Sequence, residues 1–382
     1  MSETKKKKKK FPWKPVVMIP VFLIISFCAG LGIGTLMDSY IEELPLEDFL
    51  LGLLGVYVFL LLFSFAQTVI HEAGHLVFGL LTGYKFSSFR IGSFMWVKVN
   101  GKLRLMRYSL AGTGGQCLMA PPDMVDGKLP YMLYNMGGCI ANIVVSVLPL
   151  IPVVLFWEFS YVQFLVILWA VIGLFGALTN GIPLKIQGMP NDGHNALSLG
   201  KSPVALKAFW LQMKINEQVA SGKRLKDLPE EWFELPAKED MQNGLVAAIA
   251  VFHCNRLMDM EKYAEADELM EQLLSEESGM VRVHRHILRA DQMYCEMVGE
   301  NRKERYETLY TTEVKQFFKA MKKSPSVLRT IYLYETYVEK DEKKAEQALK
   351  SFEKVCATYP YPHEIVSERE MIAYAEEKLA KE

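Results

Sequence analysis

Apolar positions run almost unbroken through the first half of the chain and become periodic, interleaved with charge, in the second. Four apolar segments stand out, at about 16–37, 49–82, 132–156 and 161–183. Each is long enough to cross a hydrocarbon core of about 30 Å as a helix. The 49–82 segment exceeds one perpendicular span, so it must tilt, break or extend beyond the hydrocarbon. We expect one helix there, with a bend allowed near Gly52 or Gly55 and a stop at Gly83. After about His194 the pattern is that of a soluble helical protein rich in Glu, Lys, Ala and Leu.

Residues 84–130 are neither a span nor a plain loop. Phe94–Val99 and Lys102–Tyr108 flank Asn100-Gly101, a two-residue hairpin signal. Gly112, Gly114 and Gly115 follow, then Gln116–Met119 and Pro121-Pro122. The pattern predicts a small sheet over 84–119 at a membrane face, with strand edges that an extended peptide can join. In the second half, Leu245–Leu274 and Val327–Tyr359 each read as helix, turn, helix. They resemble divergent tetratricopeptide repeats, although their separation breaks a 34-residue period, and a generic helical bundle fits as well. The fold class is therefore mainly α: a polytopic helical membrane protein of about four spans, a small membrane-associated β-sheet and a C-terminal cytosolic helical domain. The boundaries fall at 1–15 for a basic tail, 16–194 for a membrane domain and 195–382 for the helical domain.

Charge orients the spans. The Lys5–Lys10 block places the N-terminus in the cytoplasm, and the following apolar stretch is read as a retained anchor, its length being too great for a signal-peptide core. The next loop carries Asp38, Glu42, Glu43, Glu47 and Asp48 with no Lys or Arg, which suits the outside. Region 84–130 holds Lys85, Arg90, Lys98, Lys102, Arg104, Arg107 and Lys128, which suits the inside. Both termini are then cytoplasmic. A net charge of -1 argues against nucleic acid as a partner. The six cysteines are scattered without a Cys-x-x-Cys pair, so reduced buried thiols are expected.

The chemistry concentrates at His71-Glu72-Ala73-Gly74-His75. On a helix His71 and His75 share one face and can reach one metal ion, with Glu72 beside them to take a proton from water. Ionisable groups inside an apolar span are costly unless they have a function, which sets this pentapeptide apart from hydrogen-bonded polar residues that merely join helices. A hydrolytic zinc site needs a third protein ligand and an open position. Asp192, after the fourth span, is the candidate, with His194, Asp123 and Asp126 as rivals; Asn191-Asp192-Gly193 alone also reads as a turn. Residues 184–191 must fold back for Asp192 to reach the histidines, and Gly188 and Pro190 permit it.

His-Glu-Ala-Gly-His in an apolar helix, followed two spans later by Asn180-Gly181-Ile182-Pro183 and then Asp192-Gly193, resembles the site-2 protease family of intramembrane zinc metalloproteases. The resemblance covers about residues 49–195. It implies zinc held by His71, His75 and Asp192, Glu72 as general base, and Asn180 aiding substrate or oxyanion binding. Gly137-Gly138-Cys139-Ile140-Ala141-Asn142 resembles the family's Gly-Pro-x-x-x-Asn stretch, with Gly138 in place of proline. A small membrane-associated sheet after the histidine helix is common in the family and matches 84–119. The gap from Pro183 to Asp192 is longer than usual, Asn191 replaces a leucine, and no PDZ-like insertion is evident.

Other polar residues take plainer readings. His284 and His286 are two apart and face different sides of a helix. His253 beside Cys254 belongs to a core, Trp157 and Tyr161 to an interfacial belt, and Asn142 to helix packing. Charge near Lys340–Lys344 forms a solvated face. The expected function is an intramembrane zinc endopeptidase acting on a transmembrane or membrane-associated peptide near the cytoplasmic face of a bacterial plasma membrane. The alternative is a membrane scaffold with a structural metal site, whose residues 195–382 bind a cytosolic protein partner.

Overall fold

The computed structural model describes residues 45–99, 101–108, 113–156, 160–186 and 188–380. The basic tail, the apolar segment 16–37 and its orienting charges up to residue 44 lie outside the described residues, as do Asn100, Gly112 and Trp157. The described chain is mainly helical. Among the described residues, three helical segments are long and apolar enough to cross a membrane: Leu46–Leu81, Tyr131–Leu155 and Tyr161–Gly181.

Helix α1, Leu46–Leu81, is continuous through Gly52 and Gly55. Glu47 and Asp48 occupy its first turn, where negative charge complements the helix dipole. It stops because Gly83 adopts a positive φ of 88°, letting Tyr84 N–H donate to the Gly79 carbonyl and Gly83 N–H to that of Leu80. Four strands follow: β1 Lys85–Ile91, β2 Phe94–Val99, β3 Lys102–Arg107 and β4 Gly115–Ala120. All pairings are antiparallel, in the order β3-β2-β1-β4. The anticipated hairpin is β2–β3, with Val99 opposite Lys102. Alternation in β2 buries Met95, Val97 and Val99 on one face and exposes Phe94, Trp96 and Lys98 on the other.

Helix α2, Tyr131–Val147, gives way to the short α3, Leu150–Leu155, at Pro149, which has no N–H to continue the ladder. Helix α4, Tyr161–Gly181, is followed by a two-stranded hairpin of β5, Lys185–Ile186, and β6, Met189–Pro190, and then by α5, Asp192–Ser198. The remainder is helical: α6 Pro203–Ala220, α7 Gly244–Asp259, α8 Tyr263–Ser275, α9 Arg282–Val298, α10 Lys303–Leu309, α11 Thr312–Ala320, α12 Pro325–Leu333, α13 Glu342–Cys356 and α14 Pro362–Leu379. The two helix-turn-helix readings correspond to α7–α8 and to α12–α13, the latter joined through a π-helical turn at Tyr334–Val338.

The described residues form two compact units: 45–67 with 145–175, and 68–144 with 176–380. In the first, Trp169 donates through Nε1 to the Val145 carbonyl, 2.8 Å away, and stacks edge-on against Phe63. In the second, the lower part of α1, the sheet and the C-terminal helices share cores. One joins Tyr84, Cys117, Met119 and Tyr134 to Leu206, Phe209, Val246 and Ile249. Another sets Tyr361, from the loop before α14, against Met95, Val97 and Val99 of β2.

Candidate metal site

The lower half of α1 carries His71, Glu72 and His75 into the second unit. There α1 packs on α2 through facing glycines, Gly74 and Gly137, each of which leaves no room for a Cβ. One step along, Gly138 accepts the His71 ring: a Cβ at Gly138 would lie 2.6 Å from the imidazole. Glycine at this point of α2 thus decides whether His71 fits between the helices.

The ring orientations are fixed from behind. His71 Nδ1 meets Asn142 Oδ1 at 2.8 Å, and His75 Nδ1 meets the Tyr134 carbonyl at 2.7 Å. A carbonyl oxygen only accepts, so His75 carries its proton on Nδ1 and presents an Nε2 lone pair; the Asn142 oxygen acts likewise on His71. The two Nε2 atoms stand 3.2 Å apart. Asp192 Oδ2 completes a triangle, 3.1 Å from His71 Nε2 and 3.4 Å from His75 Nε2. A tetrahedral ion with ligand distances of about 2.0–2.1 Å separates its ligand atoms by about 3.3 Å. The triangle therefore has the dimensions of one face of such a tetrahedron.

The donor chemistry points the same way. With both rings neutral, two lone pairs and a carboxylate oxygen face one another, which is repulsive without positive charge at the centre. A cation supplies it; without one, protons on the imidazoles must. In that protonated form burial pushes the Asp192 carboxyl up, but hydrogen bonds from His71 and His75 outweigh burial and hold it well below the usual carboxylate range. His71, His75 and Asp192 are the group among the described residues whose ligand atoms are close enough to hold one metal ion.

Asp192 reaches the histidines because the β5–β6 hairpin folds the chain back. Asn191 does the fastening. Its Nδ2 donates to the carbonyls of Thr179 and Ile182, at 2.8 and 2.7 Å, at the end of α4. Its Oδ1 accepts from Leu184 N and from His194 N, both at 3.0 Å, the second bond capping α5. Asn191 is thus the device that lets a long loop deliver the aspartate. The rivals lie elsewhere: Asp123 is exposed and pairs with Lys214, Asp126 sits at positive φ in a turn, and the His194 ring meets Ser198 Oγ at 3.0 Å.

Glu72 is buried and lies against the first residue of β4. A Cβ at Gly115 would be 2.6 Å from Glu72 Cγ and 2.7 Å from Oε1. The carboxylate is an electrostatic neighbour of both imidazoles and of Asp192. Asn180 stands in the last turn of α4 and donates through Nδ2 to the Gly176 carbonyl of its own helix, 3.0 Å away. Of the residues expected at the site, the structure brings together His71, His75 and Asp192 around a common centre, places Glu72 beside them, and turns Asn180 back on its helix.

Asn142, expected to serve helix packing, joins α2 to α1 through the His71 ring and so also orients a metal-ligand candidate. Its signal was present in the sequence: Gly138 and Asn142 are four apart and share a helix face. The Tyr134 carbonyl and Arg90, buried beneath β4, have no comparable signal.

No protein-family model, curated protein or solved structure matches the chain.

Proposed function

We propose that the protein is an intramembrane zinc endopeptidase of the site-2 protease type, cutting a transmembrane or membrane-associated peptide close to the cytoplasmic face. The observation that carries this reading is the triangle of His71 Nε2, His75 Nε2 and Asp192 Oδ2 with the carboxylate of Glu72 beside it. Two imidazoles and a carboxylate are a standard set for a hydrolytic zinc ion, leaving a fourth position open. Such an ion supplies Lewis acidity, polarising an amide carbonyl and making water more acidic.

The chain's own groups supply the rest. Glu72 takes a proton from the attacking water and returns it to the leaving amine. Its burial keeps bulk water from competing for that proton. Asn142 and the Tyr134 carbonyl hold the rings in the tautomer that directs Nε2 inward. Strand β4 is an edge strand and begins at Glu72, so a peptide unwound and paired with that edge is led past the metal site. Asn180 can steady the carbonyl oxygen once its amide leaves Gly176. Exposed Leu50, Leu51, Leu54, Tyr57, Leu61 and Leu62 on α1 give the helix an apolar surface suited to lipid. A bacterial plasma membrane, with both termini cytoplasmic, agrees with the charge distribution.

A purely structural metal site has no use for a free carboxylate beside its ligands, which disfavours the scaffold reading. The test compares membrane-peptide profiles of cells carrying the wild type and Glu72→Gln. A transmembrane fragment that disappears with the wild type and persists with the variant is the expected result. Identical profiles, with the wild type metal-loaded and expressed, would remove the proteolytic reading.

A further inference from the structure

Arg90 is among the most deeply buried side chains described, 1% exposed, on β1, the strand paired with β4, whose first residue lies against the proposed catalytic base. Its guanidinium holds backbone carbonyls and one hydroxyl rather than carboxylates. Nη1 donates to the carbonyls of Gly92, at 2.8 Å, and Thr113, at 3.4 Å; Nη2 donates to Thr113 Oγ1 and to the Gly115 carbonyl, the latter at 3.3 Å. Arg90 therefore ties the end of β1 to Thr113 and to Gly115, the first residue of β4. The Gly115 backbone is the wall against which the Glu72 carboxylate rests. Glu72 and Arg90 are also electrostatic neighbours.

A charged guanidinium this deep is costly, and a turn of this kind can be closed by backbone bonds alone; Gly92 N–H already donates to the Gly114 carbonyl at 2.8 Å. The arginine adds a rigid fork spanning Gly92, Thr113 and Gly115, which a lysine cannot reproduce. The helical half of the chain packs on the same sheet. Tyr361 packs on the buried face of β2 and, with Tyr108, is an electrostatic neighbour of Arg90. Tyr359 stacks edge-on against Tyr108, with ring centroids 5.8 Å apart.

We infer that Arg90 is the positioning residue for Glu72, acting through the Gly115 backbone, and that the Tyr359–Tyr361 loop of the helical half holds it in place. The C-terminal helices then form part of the catalytic support. This inference rests on the proteolytic reading of the site for its kinetic consequence and on geometry alone for its structural one.

The test uses full-length Arg90→Gln, Arg90→Lys and Tyr361→Ala, purified in detergent and zinc-loaded, beside the wild type and Glu72→Gln. Hydrogen exchange over residues 113–120 and metal content are read on every protein; cleavage is read on the membrane peptide that accumulates with Glu72→Gln. For Arg90→Gln we expect faster exchange over 113–120, unchanged metal content, and kcat lower by about 100-fold with KM within about threefold, the order of loss for a catalytic group misplaced by about 1 Å. Arg90→Lys should recover part of kcat, and Tyr361→Ala should show a smaller loss of the same kind. Wild-type exchange over 113–120 in Arg90→Gln would overturn the inference, as would wild-type kcat. Loss of metal in step with activity would overturn it too, since Arg90 would then be supporting the ligands. If the wild type and Glu72→Gln are equally inactive, it is the proteolytic reading that fails, and the exchange measurement alone decides whether Arg90 holds the wall beside Glu72.

Discussion

Two of the buried clusters of ionisable side chains in the second unit are balanced in opposite ways. Among the C-terminal helices, Arg329 lies between Asp291 and Glu368, at 2.7 and 2.8 Å, and over the ring of Tyr294. Arg329, Asp291, Glu368 and Glu364 line a cavity of about 250 Å³. The counter-charge is covalently part of the cluster. At the metal site, His71, His75 and Asp192 converge with no lysine or arginine among them, and Arg90 nearby is committed to backbone carbonyls. The first cluster carries a cation of its own; the second has none and needs a metal ion or protons to balance it. The difference separates an ionic network that carries its own cation from one whose donor set and spacing suit a metal ion.

The comparison can be broken at either cluster. The largest effect is expected for Glu72→Gln, which leaves the metal ligands intact. Turnover should fall by about 10²–10⁴-fold, the usual contribution of a positioned base, while metal content stays at the wild-type level. Retained turnover at full metal content would remove the base from Glu72.

Arg329→Met strands Asp291 and Glu368 without their cation. A loss of about 3–5 kcal/mol in unfolding free energy is expected, with metal content unchanged in the fraction that remains folded. A loss below about 1 kcal/mol would mean that the two clusters are less different than the geometry indicates. Asn142→Ala removes the partner of His71 Nδ1. Metal affinity should weaken by about 10–100-fold, as for other partners that orient metal-bound histidines, and competition with a chelator would measure it. Unchanged affinity would return Asn142 to helix packing.

The smallest effect concerns pH. Burial, reinforced by the charges of Glu368 and Asp259, lifts the Glu364 carboxyl to about 7. Burial, opposed by Arg329 and reinforced by Asp291, lifts Glu368 to about 7. Both lie above the ordinary value of 4.5, so between those limits the folded chain binds more protons than the unfolded one. Stability from these two groups is full below about 4.5 and is lost as pH rises through about 7. Melting temperatures measured on the full chain from pH 5 to pH 8 should fall less steeply for Glu364→Gln than for the wild type. Parallel slopes would show that Glu364 titrates normally.

Much of the site was legible because its signal is local. Two histidines four apart need only a helix to meet, and the apolar run from Phe59 to Leu81 makes the helix evident. Asn100-Gly101 between two alternating segments announced the β2–β3 pair in the same way. Asp192 was harder. Its approach depends on Asn191 bonding back to Thr179 and Ile182, and asparagine before Asp-Gly also suits an ordinary turn. Strand β4 was anticipated only as part of a sheet, since glycines at its start read as a loop until Glu72 is seen to occupy the space that a side chain at 115 would fill. The contact of Tyr361 with β2 left no trace in sequence, because nothing local links residues more than 250 positions apart. Long-range contacts of this kind place the C-terminal helices in the same compact unit as the metal site.

The central claim is that His71, His75 and Asp192 hold one metal ion, and elemental analysis of the purified full-length chain tests it most directly. About one zinc per chain is expected in the wild type and in Glu72→Gln, with loss of the metal in His71→Ala and His75→Ala, and sharply weakened binding in Asp192→Asn with little change in His194→Ala. Full metal retention in both histidine variants, or a loss in His194→Ala that exceeds that in Asp192→Asn, would contradict it.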